Sequence, residues 1–463
     1  MGIKKAAVLG SGVMGSGIAA HLANAGIQVE LLDMSVDIAK SNLKKALKAK
    51  PAPFMLPSRQ LLVRAGSFDD HMERIASCQW VIEVVTENLG IKQSLYDKVL
   101  PHLNATALLT SNTSGIPLAS LTENFPTEVK KRFFVTHFFN PPRYMRLLEV
   151  IAGPDTDPAL VTNFRGFAEQ TLGKGVVLAK DTVNFIANRI GIHGMMLALH
   201  KTIELGYNVR EVDTYTGPVM GRPSSATYKT ADVVGLDTLA HVAQNCYDNL
   251  PEDEERECFK LPEAVATMIE NGQKGRKTGA GFYKKVGREI HTINLETLEY
   301  ENNEKPRLES LGAAKKKDNV AERVATVLVA DDRAGTFVRA CLLPSLAYAG
   351  RRMGEIADDV SAIDDAMRWG FNWELGPFEL WQALGISKVN EWMTAEGVEV
   401  PQIALDAAQS GSFYGDNEVG RPSPIEKAKS AGKVVHKNLS ASLVDLGDGV
   451  LGFEIHTKMN SLV

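Results

Sequence analysis

The stretch "FFVTHFFNPPRYMRLLEV", residues 133–150, carries a histidine inside an aromatic, apolar run and a glutamate twelve positions later. A histidine in such a run must find partners for two ring nitrogens, so His137 asks for a chemical reason. A carboxylate on one imidazole nitrogen fixes the tautomer and raises the basicity of the other, which is what a general base needs. Asn140-Pro141-Pro142 breaks the two apolar runs, and a chain that turns there can bring His137 and Glu149 together. The alternative, from these residues alone, is a core histidine satisfied by its neighbours.

A base of this kind serves an alcohol oxidation if a hydride acceptor is at hand, and the N-terminus supplies one. Gly10, Ser11, Gly12, Val13, Met14 and Gly15 follow a short apolar run, "KKAAVL", and precede a helix-like stretch, "SGIAAHLANAG". Such a loop lets backbone amides approach a pyrophosphate at a helix N-terminus. Asp33 closes the next apolar run, "IQVELLD", 18 residues after Gly15. An acidic residue there accepts from ribose hydroxyls and repels a 2′-phosphate, which favours NAD over NADP.

Two polar segments could complete the site. "LLTSNTSGIP" places Ser114 just after an apolar run, and "KDTVNFIANRIG" carries Asn188 one turn inside a helix-like stretch. Either could hold a substrate oxygen, and either could equally be capping or turn chemistry. Metal chemistry finds little support: there is no HExxH, and His193 and His200 are too far apart for adjacent-turn ligation. GxSxG is also missing. Lys44, Lys45, Lys48 and Lys50 read as a solvated helix face that could steer a phosphate-bearing substrate.

Composition sets the outer bounds. With 463 residues, 44% apolar and 23% charged, the chain is an ordinary globular protein of several domains. A net charge of -5 offers no global field for nucleic acid. Cys78, Cys246, Cys258 and Cys341 show no CxxC spacing and fit free thiols of the cytoplasm. No membrane-length apolar run is present.

These residues need elements to position them. Strand-like runs at 4–9, 27–33, 80–85 and 107–112 alternate with helical or polar segments, predicting a parallel, doubly wound sheet over 1–184. Long helical patterns then dominate 185–286, and a charged interval at 287–335 reads as a linker with some order. The helical pattern returns at 336–410. Residues 202–239 and 353–389 align, with Glu204 against Glu355 and Asp213 against Asp364, so a duplicated helical domain is the better reading, the alternative being chance similarity between two amphipathic helix pairs.

The motifs "VLGSGVMGSGIA", "ENLGIKQSLY", "SNTSGIPLASL", "THFFNPPRYMRLLEVI", "KDTVNFIANRI" and "KTGAGFY" resemble, in order and spacing, the L-3-hydroxyacyl-CoA dehydrogenases of fatty acid β-oxidation. The likeness spans about residues 3–285. It implies an α/β plus all-α architecture, in which a Rossmann-type domain is followed by two related helical domains. It also implies oxidation of L-3-hydroxyacyl-CoA to 3-ketoacyl-CoA with reduction of NAD. By the same resemblance His137 is the catalytic base and Glu149 its orienting partner. Ser114 and Asn188 match contacts to the reacting oxygen, while Glu87, Lys92, Asn140 and Lys277 match positions bordering the nicotinamide.

Departures bear on acyl preference. Val183-Asn184 stands where the family has Pro-Gly, and "PSSATYKTAD" replaces "PMGPFEL" in the first helical domain. The second repeat keeps "LGPFEL" but has no cofactor motif beside it, which suggests a packing role. The segment 411–463, "SASLVDLGDGVLGFEIHTKMNSLV" included, resembles the opening strands of an enoyl-CoA hydratase domain, so the expectation is the dehydrogenase part of a bifunctional polypeptide. A thiolase partner and a monomer or homodimer are further expectations of that resemblance. Two other readings share the glycine loop: a β-hydroxyacid dehydrogenase with a lysine base, and a non-catalytic dinucleotide-binding structural protein.

Overall fold

Apolar runs bounded by glycine or polar turns form eight strands of one sheet in the computed structural model, which describes residues 2–415 and 424–457. They are β1 (Lys5–Leu9), β2 (Gln28–Asp33), β3 (Val63–Ser67), β4 (Trp80–Glu83), β5 (Leu108–Ser111), β6 (Phe133–Phe138), β7 (Leu147–Ala152) and β8 (Gly175–Ala179). Their order is β3-β2-β1-β4-β5-β6-β7-β8. The first six follow the dinucleotide-binding order, with the strand sequence reversing beside β1. Helix α1 (Val13–Asn24) covers one face and α2 (Leu89–Val99) the other. Accordingly Ala6 and Val8 join one apolar core while Ala7 and Leu9 join the opposite one.

Two strands, β7 and β8, run against the direction of the first six, a departure from the all-parallel expectation. β7 runs antiparallel to β6, whereas every other neighbouring pair is parallel. The segment between β6 and β7 is too short for a crossover helix, so the chain can only fold back. This reversal brings the first half of β7 to the sheet edge where β1, β4, β5 and β6 end.

The chain divides into two compact units, Met1–Phe413 and Tyr414–Val463. Within the first, the helical part begins with α3 (Ala187–Glu204), α4 (Tyr228–Val234) and α5 (Leu236–Asn249). Its second copy is built from α6 (Arg333–Arg351), α7 (Val360–Gly370), α8 (Pro377–Leu384) and α9 (Ile386–Ala395). Duplication shows in the hydrogen bonds as well as in the order of helices. Asp213 Oδ1 accepts from the amides of Thr227 (3.1 Å) and Tyr228 (2.7 Å), and Asp364 Oδ1 from those of Phe378 (2.8 Å) and Glu379 (3.4 Å). Each aspartate thus caps a helix at the same distance along the chain. The helix breaks match too, with Gly235 at φ 98° and Gly385 at φ 93°.

The interval read as a linker is folded. β9 (Tyr283–Val286), β10 (Glu289–Ile293) and β11 (Tyr300–Glu301) make a small antiparallel sheet, and helices Glu309–Ala314 and Val320–Leu328 follow. Ile293, Leu311, Val324 and Val327 are buried, so the charges of this interval form the outer face of ordered elements. The second unit pairs a short helix, Pro424–Ser430, with an antiparallel sheet of β12 (Val434–Lys437), β13 (Ala441–Gly447) and β14 (Val450–Ile455). The end of the hydratase-like segment, residues 458–463, lies outside the described residues. Among the described residues no helix is long and apolar enough to cross a membrane.

Candidate active site

Register brings the two residues of the opening motif together. His137 on β6 lies directly opposite Glu149 on β7, and its Nδ1 stands 2.8 Å from Glu149 Oε2. Glu149 is fully buried, and its other oxygen accepts from the backbone amides of Ile186 (3.2 Å) and Ala187 (2.8 Å) at the start of α3. A carboxylate only accepts, so the His137 proton sits on Nδ1 and the lone pair on Nε2. The α3 N-terminus adds its positive end to the same carboxylate. Phe139 and Phe185 pack edgewise against the imidazole, with ring centroids 4.6 and 5.6 Å away. These contacts leave the ring little room to rotate.

A second carboxylate organises the ends of β4 and β5. Glu83, the last residue of β4, accepts from Lys92 Nζ (2.8 Å), Tyr96 Oη (3.0 Å), Ser111 Oγ (2.5 Å) and the Val85 amide (2.7 Å). Lys92, on α2, also reaches Glu87 at 3.2 Å. Burial pushes the Glu87 carboxyl up, but Lys92, Thr113 and the Ser114 amide outweigh it and hold it below the usual carboxylate range. Ser114 Oγ is itself 3.3 Å from Glu87. Lys92 is 1% exposed, so it supports Glu87 from beneath and offers no surface to a ligand. Glu83 was missed in the sequence, where it reads as one polar letter in "WVIEVV"; its signal is a carboxylate at a strand end with a lysine one helical turn into the next helix.

The glycine loop has the shape of a phosphate cradle. At Gly15 a Cβ would lie 1.8 Å from the Gly10 carbonyl oxygen, and at Gly10, where φ is 104°, it would lie 2.6 Å from that of Val84. At Gly12, the N-cap of α1, a Cβ would meet nothing within 4 Å. Packing therefore requires the outer two glycines, while the space beside the middle one is open to a ligand's approach. Val13 follows Gly12 and Met34 follows Asp33, and both apolar side chains are exposed, at 77% and 74%. Asp33 accepts from the amide (2.6 Å) and hydroxyl (2.5 Å) of Ser11 and from the Met34 amide (2.7 Å). Its two oxygens retain acceptor capacity for ribose hydroxyls. The residues present fit NAD.

The remaining sequence candidates fall around these clusters unevenly. Asn188 is the second residue of α3, nearer its start than the sequence pattern suggested, because Asn184 (φ 61°) and Phe185 (φ 51°) hold the chain out of helix until Ile186. Asn184 tolerates the left-handed conformation that glycine takes elsewhere. Its side chain donates to Val242 O (3.0 Å) and Cys246 Sγ (2.8 Å) and accepts from Asn245 (3.0 Å) on α5. Asn140 is exposed just beyond β6. Lys277 pairs with Asp237 at the start of α5, and its ammonium joins neither the His137 nor the Glu87 group.

Comparisons with known proteins agree with the architecture. The chain matches the family model "3-hydroxyacyl-CoA dehydrogenase, NAD binding domain" over residues 5–182 and "3-hydroxyacyl-CoA dehydrogenase, C-terminal domain" over 185–285. A probable 3-hydroxyacyl-CoA dehydrogenase of Deinococcus radiodurans is 46% identical over 62% of this chain and 84% of its own length. One of Bacillus subtilis is 41% identical over 99% of this chain, which spans 63% of that relative. The crystal structure of Escherichia coli 3-hydroxybutyryl-CoA dehydrogenase, 20% identical, superimposes with a TM-score of 0.68 over 88% of this chain and 99% of its own. That likeness of fold extends beyond the first helical copy. The chain belongs to the 3-hydroxyacyl-CoA dehydrogenase family, whose NAD-binding and C-terminal domains it carries in order.

Proposed function

We propose that this NAD-dependent dehydrogenase oxidises L-3-hydroxyacyl-CoA to 3-ketoacyl-CoA as a step of fatty acid β-oxidation, with His137 as base. The supporting observation is the buried Glu149 carboxylate, shared between His137 Nδ1 and two helix N-terminal amides. Nε2 takes the 3-hydroxyl proton, and Glu149 stabilises the imidazolium that results. NAD, held at the glycine loop and Asp33, supplies the hydride acceptor. Ser114 and Asn188 hold the reacting oxygen. With NAD bound, Glu87, held by Lys92, and Asn140 would border the nicotinamide. Lys277, paired with Asp237, is assigned to the cofactor side by the family resemblance alone.

The acyl-CoA is the expected partner, with thiolase as the next enzyme and the cytoplasm as the setting. The duplicated helices favour a monomer, since α6 packs on α3 within one chain; light scattering tests this. Activity is tested by NADH formation with 3-hydroxyacyl-CoAs and free hydroxyacids in parallel. Turnover of free hydroxyacids alone would reject the acyl-CoA reading.

A further inference from the structure

Three glycines mark one junction between the second helical repeat and the catalytic half of the molecule. A Cβ on Gly175 of β8 would lie 2.2 Å from the Trp369 ring, and one on Gly191 of α3 would lie 2.0 Å from the Phe371 ring. On Gly370, between those two aromatics, a Cβ would come within 2.7 Å of Leu147, 3.3 Å of Ala187 and 3.6 Å of Phe139. None of the three has a positive φ, so close approach and not backbone conformation requires glycine there.

The neighbours of Gly370 are each one step from the His137–Glu149 pair. Leu147 precedes Glu149 by two residues and so lies on the same face of β7. Ala187 gives Glu149 its 2.8 Å amide hydrogen bond, and Phe139 packs on the His137 ring. The repeat that brings Gly370 is itself anchored. Arg189 on α3 donates to Tyr348 Oη of α6 at 2.5 Å and pairs with Asp253, which Arg352 also engages at 3.0 Å. Lys180, just after β8, donates its amide to Ile356 O at 3.0 Å.

We propose that Gly370 is a positioning residue for the His137–Glu149 pair, through which the second helical repeat sets the geometry of the active site. The inference rests on the base assignment above. A close-packed core transmits such a displacement because it has no slack to absorb it. Filling the space pushes Leu147, Ala187 and Phe139 apart and moves the imidazole and its carboxylate relative to the substrate.

Gly370→Val tests this, alone and with Leu147→Ala, which returns about the same volume at the nearest contact. The single variant should lose roughly tenfold to a hundredfold in kcat, the scale of an ångström-sized misplacement, while its KM for NAD stays within about twofold. The double variant should recover most of the loss relative to Leu147→Ala alone. Phe378→Leu, in the same repeat with its ring packed on Phe413, is the control for general destabilisation. A folded Gly370→Val enzyme with wild-type kcat overturns the proposal. So does a loss that Leu147→Ala does not rescue and that Phe378→Leu reproduces at equal thermal stability. His137→Gln is assayed beside them: if it keeps full turnover the base assignment itself fails, whereas its inactivity with an unaffected Gly370→Val defeats the positioning role alone.

Discussion

Glu149→Gln changes a single atom, and the structure dictates what that atom must do. Two backbone amides, of Ile186 and Ala187, need an acceptor at one end of the side chain, so the glutamine oxygen must face them. Its NH2 then points at His137 Nδ1, where Glu149 Oε2 now stands at 2.8 Å. Donation from that NH2 forces Nδ1 to accept and moves the imidazole proton to Nε2. The nitrogen that should take the substrate proton is then already protonated. A wrong tautomer in a comparable pair costs roughly a thousandfold to ten-thousandfold in turnover, or about 4–5.5 kcal/mol of barrier. The fold suffers less: three hydrogen bonds weaken from charge-assisted to neutral, about 1 kcal/mol each. Turnover is read from NADH absorbance with saturating NAD and a 3-hydroxyacyl-CoA, and NAD affinity from calorimetry. A variant that retains more than about a tenth of wild-type kcat, with the fold intact, refutes the reasoning.

Other perturbations separate binding from packing. Gly12→Ala should raise the Kd for NAD about tenfold or more with little change in melting temperature, whereas Gly15→Ala should destabilise the domain outright, because only the second meets backbone within the chain; equal stabilities for the two would contradict this. Asp33→Ala should narrow the preference for NAD over NADP by about tenfold, read as the ratio of the two kcat/KM values, and an unchanged ratio counts against Asp33 as the ribose-reading residue. His21 carries a pH dependence: burial, with Lys174 beside it, pushes its imidazole from 6.5 down to about 3, and Nε2 bonds Leu172 O at 3.1 Å. Its folded value lies below the unfolded one, so its contribution is complete above about pH 6.5 and is lost as pH falls toward 3, by at most about 1.4 kcal/mol per pH unit. His21→Gln, which can still donate to Leu172, should flatten the fall in urea stability across that window; an unaltered slope would assign the acid sensitivity elsewhere.

Local order was legible where chemistry and sequence neighbourhood coincide. The glycine loop, α1 and Asp33 lie within one short strand–helix–strand unit, and the Asn140-Pro141-Pro142 break announces the return that sets Glu149 opposite His137. The duplicated helical domain was legible because Asp213 and Asp364 repeat at one offset, and their matching caps give that repetition a structural reason. What remained hidden depends on residues far apart in the chain. The Asn-Pro-Pro break marks a turn, but that β7 and then β8 join the same sheet against the direction of β1–β6 is hidden, because apolar patterning gives strand positions and not strand direction. Glu83 looks like a stray charge until Lys92, Tyr96 and Ser111 converge on it from other elements. Asn184 reads as a departure from a family pattern, and only its left-handed backbone and its bonds to α5 explain the substitution. Gly370 carries no sequence signal, because its role lies in three neighbours at positions 139, 147 and 187.

The most direct measurement compares wild-type protein with His137→Gln for NADH formation from L-3-hydroxyacyl-CoA, with NAD affinity determined on the same samples. If His137 is the base, wild type turns over and the variant falls by about a thousandfold or more with NAD binding unchanged. Comparable turnover in the two, or none in wild type with acyl-CoA substrates of any length, contradicts it.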